Sequence, residues 1–384
     1  MTSRRGAAPA PGRVHARKLA LRAALACGAC LVATARLVAG QEAEATLYVR
    51  GDTDQTTVVT PRLGVGVPVG DDTRVGAVYA VDVWTSASID IRTSASKAIT
   101  EQRDEIDLTL EHTIDDARIT GGYRYSTEPD YQSHGGTLGF ELDLADKSET
   151  LAATLLANFD DVGRVGDPDF SRDTRQLGVR ASFTQVFDRD TLAQLIYEIG
   201  QAQGYLASPY RYVGIGGSDA SCRGTVMYCV PETNPDSRLR HALAARGRRA
   251  LGYAFSVGAG YRFYLDDWDL LSHTAEADIA WLPTTRLSLK LRYRFYWQGA
   301  AAHYRARYPD LVPDRPFYTR DKELSPLHAH GIGLDLGHAW DVDDTGGTLR
   351  AMLSVAPTRY EYRDFPWLDQ ITAIEVTLGV ALER

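Results

Sequence analysis

The feature that most constrains this chain is an alternation of apolar and polar residues at every second position from residue 45 onward. In the clearest segment one alternate set is Leu287, Leu289, Leu291, Tyr293, Phe295 and Trp297, and the other is Arg286, Ser288, Lys290, Arg292, Arg294 and Tyr296. A period of two is that of a β-strand, whose successive side chains point to opposite faces. One face is apolar and the other is basic, so such a strand lies between an apolar and an aqueous environment.

Sixteen segments show this pattern, and every second connection between them is short. The segments start near residues 44, 56, 73, 101, 117, 132, 149, 174, 190, 237, 250, 269, 286, 327, 347 and 368. Every second connection is short: 69–72, 114–116, 145–149, 188–190, 248–249, 283–285 and 341–347. The others include all the long ones, near 85–100, 160–173, 204–236 and 299–326. Short inner turns that alternate with long outer loops are typical of outer-membrane barrels.

We therefore predict an all-β fold: a single-chain, transmembrane, antiparallel up-and-down β-barrel of about 16 strands. A soluble β-sandwich would also alternate, but it would place long loops at both ends. Aromatic residues near segment ends on the apolar face also favour the barrel, because they resemble the aromatic girdles of membrane barrels. These residues are Trp84, Tyr123, Tyr125, Tyr261, Phe263, Trp281, Phe295, Trp297 and Trp340.

The first 40 residues differ from the rest of the chain. Six basic residues between Arg4 and Arg22 precede an apolar run over 23–35, and small residues at 38–40 offer a cleavage site before Gln41. This layout predicts a cleaved signal peptide over 1–40 and a mature barrel over 41–384, exported to the outer membrane of a Gram-negative bacterium. The run is too short for a membrane-spanning helix, which needs about 20 apolar residues.

Charge and cysteine usage limit the remaining classes. A formal net charge of −8, spread along the chain, argues against nucleic-acid binding. Cys222 and Cys229 form an even pair in a polar loop, and a local disulfide is expected in an exported protein. Metal binding is the competing interpretation, but their spacing exceeds that of a zinc knuckle.

Charged residues on the polar faces of neighbouring segments are complementary. If the apolar face meets lipid, these charges project into the lumen and lie within reach of one another across strands. The ladder predicted in this way consists of Glu105, Asp107, Glu111, Arg118, Arg124, Glu276, Asp278, Lys290, Arg292 and Arg294. Such a ladder can line an ion-selective or polar-solute pathway, or it can simply brace a narrow interior.

The sequence offers no catalytic motif, and we assign no catalytic residue, metal site or cofactor. It contains no nucleophile elbow, phosphate-binding glycine loop or HExxH zinc motif. His328 and His330 share a face, but that face continues as an apolar strand, so both fit an interfacial position. An enzyme with a site in the loop rim is kept as an alternative, and convergence of a Ser or Asp with His303 or His328 would favour it.

Several stretches resemble the DUF3570 family, exported bacterial proteins predicted to form outer-membrane barrels. The stretches are VDVWTSAS at 81–88, GYLASPYRYV at 204–213, PETNPDSRLRHALAAR at 231–246, YRFYLDDWDLLSHT at 261–274 and RYRFYWQGAAAHY at 292–304. They cluster at strand ends and in the longest loops. The resemblance implies a shared structural or binding patch, whose candidates are Tyr210, Arg211, Pro231, Arg238, Arg240, Asp266, Asp267, Trp268, Tyr296 and Gln298.

The resemblance implies location and fold more than activity. The resemblance implies that members accompany a small lipoprotein, a thioredoxin-like protein and a flavin transferase, which points to an envelope redox or flavin-linked system. We therefore expect a porin-like channel or the membrane component of such a complex, with a non-conducting structural barrel as the alternative. The expected partners are outer-membrane lipid, the barrel-assembly machinery and a small lipoprotein. The chain ends in Leu382-Glu383-Arg384, whereas barrels usually end in an aromatic residue.

Overall fold

The computed structural model describes residues 40–86, 99–216, 222, 228–312, 314–342 and 347–384. The predicted signal peptide lies outside these residues except for Gly40, as do Ala87 and Ser88 of the first family-like stretch. The strands are β1 Glu42–Asp52, β2 Thr56–Pro68, β3 Thr73–Ser86, β4 Ile99–Ile114, β5 Ala117–Glu128, β6 Tyr131–Leu144, β7 Glu149–Val162, β8 Arg172–Asp188, β9 Thr191–Gly204, β10 Tyr212–Ile215, β11 Tyr228–Pro231, β12 Ser237–Leu251, β13 Phe255–Asp266, β14 Leu271–Trp281, β15 Leu287–Gln298, β16 Leu327–Asp341, β17 Thr348–Tyr362 and β18 Gln370–Glu383. A short 3-10 helix spans Lys322–Leu324. Within these residues, no helix is long and apolar enough to cross a membrane.

Sixteen of the strands form one closed antiparallel barrel, which confirms the predicted fold. Each barrel strand pairs with its neighbour along the chain, except that β9 pairs with β12. The barrel closes between β1 and β18, where Val49 is opposite Val376. Strands β10 and β11 form a separate hairpin in the long β9–β12 connection.

Two details of the prediction are wrong. Arg248 and Arg249, expected as a turn, lie inside β12, and the next strand begins at Phe255 rather than near 250. The turn instead contains Gly252, whose φ of +74° favours glycine. The polar pair resembled a turn because Arg248 faces the lumen, where it bonds Asp278 at 2.5 Å. Trp84 also lies on the lumenal face, opposite Glu101, and not in the outer girdle.

The two faces of the barrel wall differ as the alternation requires. Large apolar side chains stand exposed on the outside, such as Leu138 with 54% exposure and Leu291 with 51%. Exposure of this extent suits a wall that faces lipid. The inner face carries charged residues and many glycines, which leave space for long side chains. A Cβ at Gly333, for example, would lie 2.5 Å from Nε of Arg292.

The long loops fold into a cap at the end of the barrel opposite the termini. The cap consists of 205–216, 228–236, 299–312 and 314–326. One apolar cluster ties it to the rim and contains Trp268, Leu270, Ala301, Tyr304, Ala306, Leu324 and Phe365. A second cluster holds the β10–β11 hairpin against the other loop through Val213, Ile215, Tyr308 and Tyr318. These clusters make the cap a packed layer rather than a set of separate loops.

Candidate functional site: a basic lumenal cavity beneath a loop cap

The structure places all ten residues of the predicted charge ladder on the inner face, in ion pairs between strands. Arg124 bonds Asp107 at 2.8 Å and lies 4.0 Å from Glu105. Arg118 lies 3.4 Å from Glu111. The pairs on the other side of the barrel are Arg294–Glu276 at 3.2 Å, Lys290–Asp278 at 4.0 Å and Arg292–Asp335 at 3.1 Å.

The inner face has opposite charge on its two sides. Following the strand register, the inner faces of β12 to β15 carry eight cations and three carboxylates: Arg238, Arg240, Arg246, Arg248, Arg262, Lys290, Arg292 and Arg294 against Asp266, Glu276 and Asp278. The inner faces of β3 to β7 carry nine carboxylates and four cations: Asp82, Glu101, Glu105, Asp107, Glu111, Glu128, Glu141, Asp143 and Asp160 against Arg74, Arg103, Arg118 and Arg124. We call these the basic wall and the acidic wall. Together they produce an electric field across the lumen.

A cavity of about 820 Å³ lies against the basic wall. It is lined by six arginines (Arg180, Arg238, Arg240, Arg246, Arg262 and Arg294) and four carboxylates (Glu198, Glu276, Asp321 and Glu323). Arg240 and Arg246 differ from the other four, because within the described chain they form no ion pair. Arg240 donates to the amide oxygen of Gln176 at 3.3 Å, and Arg246 donates to that of Gln194 at 2.8 Å. Their positive charges are therefore available to a solute in the cavity.

Asp266, at the outer end of β13, organises the rim of this cavity. Its side chain is fully buried and accepts five hydrogen bonds. Two come from Arg238, at 2.5 and 2.9 Å, and one from the Tyr264 hydroxyl at 2.7 Å. The backbone N–H groups of Trp268 and Leu270 supply the others, both at 3.0 Å. The Arg238 guanidinium also lies 4.3 Å from the Trp268 ring, so carboxylate, cation and indole are held as one unit.

The cap forms the roof of the cavity through Asp321, Glu323 and Leu324. Gln298, at the outer end of β15, is buried and fastens this roof. Its amide nitrogen donates to the backbone oxygens of Glu323 at 2.8 Å and Ser325 at 2.7 Å. The roof therefore depends on a side chain that belongs to the barrel wall.

A buried ion cluster joins the two halves of the cap. Arg211 bonds Glu232 at 3.0 Å and Asp321 at 2.6 Å, and the Thr319 hydroxyl donates to Glu232 at 2.6 Å. Burial raises the pKa of the Glu232 carboxyl, against the lowering effect of Arg211. The charge of Asp321, followed by burial, raises the pKa of Glu323. Arg211 therefore offsets the charges of two carboxylates, Glu232 and Asp321, that lie close together.

The ten family-like residues fall into two groups in the structure. Seven lie on the cavity or its rim: Arg238, Arg240, Asp266, Asp267, Trp268, Tyr296 and Gln298. The other three, Tyr210, Arg211 and Pro231, lie in the cap. The Tyr210 hydroxyl bonds Asp130 of the β5–β6 turn and accepts from the backbone N–H of Val165, at 2.7 Å. Arg246 of β12 and Gln176 of β8 were not among the predicted residues, because their roles depend on contacts between strands that sequence spacing does not show.

The other predicted features have defined places. Cys222 and Cys229 form the expected disulfide. The His303 Nε2 lies 3.1 Å from Asn234 Oδ1, and His328 lies 3.0 Å from Glu361. The convergence of either histidine with a Ser or Asp that would favour an enzyme is not seen in the part of the chain that the structure describes. Nor do three or more His, Cys, Asp or Glu side chains form a metal-binding group there.

The closed antiparallel barrel, its apolar outer face and its charged lumen define a β-barrel of the outer-membrane type. The chain belongs to the DUF3570 family, described as proteins of unknown function, whose model matches residues 91–350. No curated protein is similar enough in sequence to count as a relative.

Solved structures are similar to this chain in fold. A bacterial polysaccharide outer membrane secretin has a TM-score of 0.51 at 9% identity, and the alignment covers 91% of this chain and 99% of that one. The Pseudomonas putida toluene transporter TodX has a TM-score of 0.41 at 11% identity, covering 90% and 89%. OprD from Pseudomonas aeruginosa has a TM-score of 0.42 at 8% identity, covering 89% and 94%. At these identities the likeness concerns the fold alone.

Proposed function

We propose that this protein is an outer-membrane channel for small polar solutes that carry an anionic group. The observation that carries the proposal is the separation of charge across the lumen, with a cavity against the basic wall. An anionic group in that cavity meets Arg240 and Arg246, which form no ion pair within the described residues. The opposite acidic wall attracts the positive end of the same solute. Rings or patches of fixed charge select solutes in this way.

In this proposal the cap controls the access of solutes to the cavity. It covers the cavity from the long-loop side and is held by the Arg211 cluster and by Gln298. A solute that enters from outside must therefore pass between cap and rim, or move the cap. We infer a low conductance in the resting state that increases when these contacts are weakened.

Location in the outer membrane is supported by the barrel fold and by the outer-membrane protein of similar fold. Insertion by the barrel-assembly machinery and partnership with a small lipoprotein are proposals that rest on the family resemblance alone. The redox or flavin-linked complex and the non-conducting barrel are the alternatives to a channel. An enzyme with a site in the loop rim is a further alternative.

The zero-current potential across a planar bilayer in a KCl gradient tests the basic wall. The variant Arg240→Gln/Arg246→Gln should shift selectivity toward cations, because a unit charge about 4 Å away is worth roughly 1 kcal/mol even in water. That corresponds to about a fivefold fall in the anion-to-cation permeability ratio. Arg175→Gln removes an arginine from the outer face of β8 and serves as the matched control. An unchanged potential in the double variant would refute the assigned role of the basic wall.

A further inference from the structure

A repeated pair of side chains encircles part of the barrel on its lipid-facing side. Four tyrosine hydroxyls each lie within hydrogen-bond distance of a histidine Nδ1 on the next barrel strand. The pairs are Tyr123–His134 at 2.8 Å, Tyr197–His241 at 2.8 Å, Tyr261–His273 at 2.5 Å and Tyr293–His330 at 2.7 Å. We call these four pairs the tyrosine–histidine belt.

The belt has a sequence signature that the channel proposal does not explain. Three of the tyrosines begin the tripeptides YRY at 123–125, YRF at 261–263 and YRF at 293–295. The arginine faces the lumen, while the flanking aromatic residues face outward. The second aromatic is directly opposite the histidine, as in Tyr125↔His134 and Phe263↔His273. The outward positions of three hairpins therefore repeat one arrangement.

All four pairs lie at a similar level near the long-loop end. Three tyrosines stand five residues before the end of their strands, as Tyr261 does relative to Asp266. The histidines follow within a few residues of the start of the next barrel strand, as His273 does in β14. Aromatic residues frame them, including Trp297, whose ring centroid lies 5.5 Å from that of His273. Aromatic rings at this level mark the boundary between lipid tails and headgroups.

The chemistry of each pair leaves one hydrogen-bond donor for a partner outside the protein. If the tyrosine hydroxyl donates to Nδ1, the Nε2–H of the neutral imidazole remains; if Nδ1–H donates, the tyrosine O–H remains. Within the described residues, no contact uses that remaining donor. The tyrosines are 42–49% exposed on the outside of the wall, so it faces the surrounding lipid. A donor left unpaired in hydrocarbon is costly, whereas at headgroup level it meets phosphate oxygens.

We propose that the tyrosine–histidine belt binds the phosphate groups of anionic lipids in the outer leaflet. Each pair supplies one charge-assisted hydrogen bond to a phosphate oxygen, and its aromatic frame packs against the first carbons of the acyl chains. Another outward tyrosine, Tyr79, donates at 2.5 Å to Asp104 instead of a histidine. That pair has no donor left and is not part of the belt.

Nanodiscs of phosphatidylcholine that contain diphosphoryl lipid A test this proposal. The number of lipid A molecules retained per barrel is counted by native mass spectrometry. The variant His134→Phe/His241→Phe/His273→Phe/His330→Phe keeps aromatic rings at the interface but removes the nitrogen partners. The matched control is His112→Phe/His338→Phe, because these two histidines lie on the same outward face at the opposite end.

We expect lipid A retention to fall by about tenfold in the belt variant, since hydrogen bonds to a charged group are lost. The control should retain as much as the wild type, and lipid A without its phosphates should be held equally weakly by all three proteins. Equal retention by the belt variant and the wild type would overturn the proposal. The proposal would also be overturned if the belt variant lost as much retention of dephosphorylated lipid A as of lipid A itself. Displacement of lipid A by inorganic phosphate would overturn it as well, because it would indicate a site for free anions.

Folding of each variant is checked by its heat-dependent migration in SDS gels. If the fourfold variant does not fold, His273→Phe and His330→Phe are measured separately, and each must lower retention relative to the control. Belt variants should leave the zero-current potential unchanged, because their side chains face away from the lumen. The two proposals are therefore tested independently.

Discussion

Replacing Asp266 by asparagine tests the packing of the cavity rim most sharply. The substitution keeps the shape of the side chain and removes its charge. The remaining amide oxygen can still accept from Trp268 and Leu270, but the new NH₂ group faces the donors of Arg238 and Tyr264. Arg238 is left 20% exposed and without its carboxylate. Breaking a buried ion pair from one side costs about 3–5 kcal/mol, and the partial exposure of Arg238 places this case near 3 kcal/mol.

Reversible urea unfolding in lipid vesicles measures this loss, with the intrinsic fluorescence of the six tryptophans as the readout. The control is Asp267→Asn, because the neighbouring residue contributes its backbone N–H to Leu239 at 3.1 Å and its side chain is exposed. We expect a change below about 0.5 kcal/mol for the control. Adding Arg238→Gln to Asp266→Asn should recover part of the loss, since no uncompensated charge then remains. A loss below 1 kcal/mol in Asp266→Asn would refute the role given to this carboxylate.

Two further predictions concern the cap and the inner wall. Burial raises the pKa of Glu232, so this group favours the folded cap when it is protonated. Its contribution to cap stability should be complete below about pH 4.3, the pKa of an exposed glutamate, and should be lost as the pH rises through the raised pKa. Limited proteolysis within 299–326 should therefore be faster at pH 7.5 than at pH 5, and Glu232→Gln should reduce that difference; an unchanged difference would contradict the assignment. Gly333→Ala should displace the Arg292 side chain and cost about 1–3 kcal/mol in the same urea assay, whereas Gly121→Ala, with open space at its Cβ, should cost less than 1 kcal/mol. Equal losses in the two alanine variants would show that the inner glycines are not needed for space.

The barrel could be predicted from the sequence because its two faces meet different media. Alternation at every second residue follows directly from that boundary and fixed most strand starts to within three residues, such as 287 for a predicted 286. The start near 250 was wrong because Arg248 and Arg249 looked like a turn. In a barrel, however, adjacent arginines can continue a strand, since one faces the lumen and the other lies at the membrane boundary.

The cap and the cavity could not be predicted in the same way. Trp268, Tyr304 and Phe365 come from separate connections and have no common period, so only the folded chain shows that they form one cluster. Arg240 likewise bonds the amide of Gln176 and no carboxylate within the described residues. Gln176 lies on β8, two strands away around the barrel. Sequence spacing contains no information on that contact. The belt is an intermediate case, because its YRY and YRF tripeptides are visible but their histidine partners are set by strand register.

Single-channel recording in planar bilayers tests the central claim, that the lumen is a pathway controlled by the cap. The wild type is compared with the cap-loosened variant Gln298→Leu, which loses both bonds to the roof. Both proteins must first show the heat-dependent gel shift of a folded barrel. We predict discrete conductance steps for the wild type, and larger or more frequent steps for the variant. Folded barrels that conduct no ions in either form would contradict it and would favour a structural role for the charged lumen.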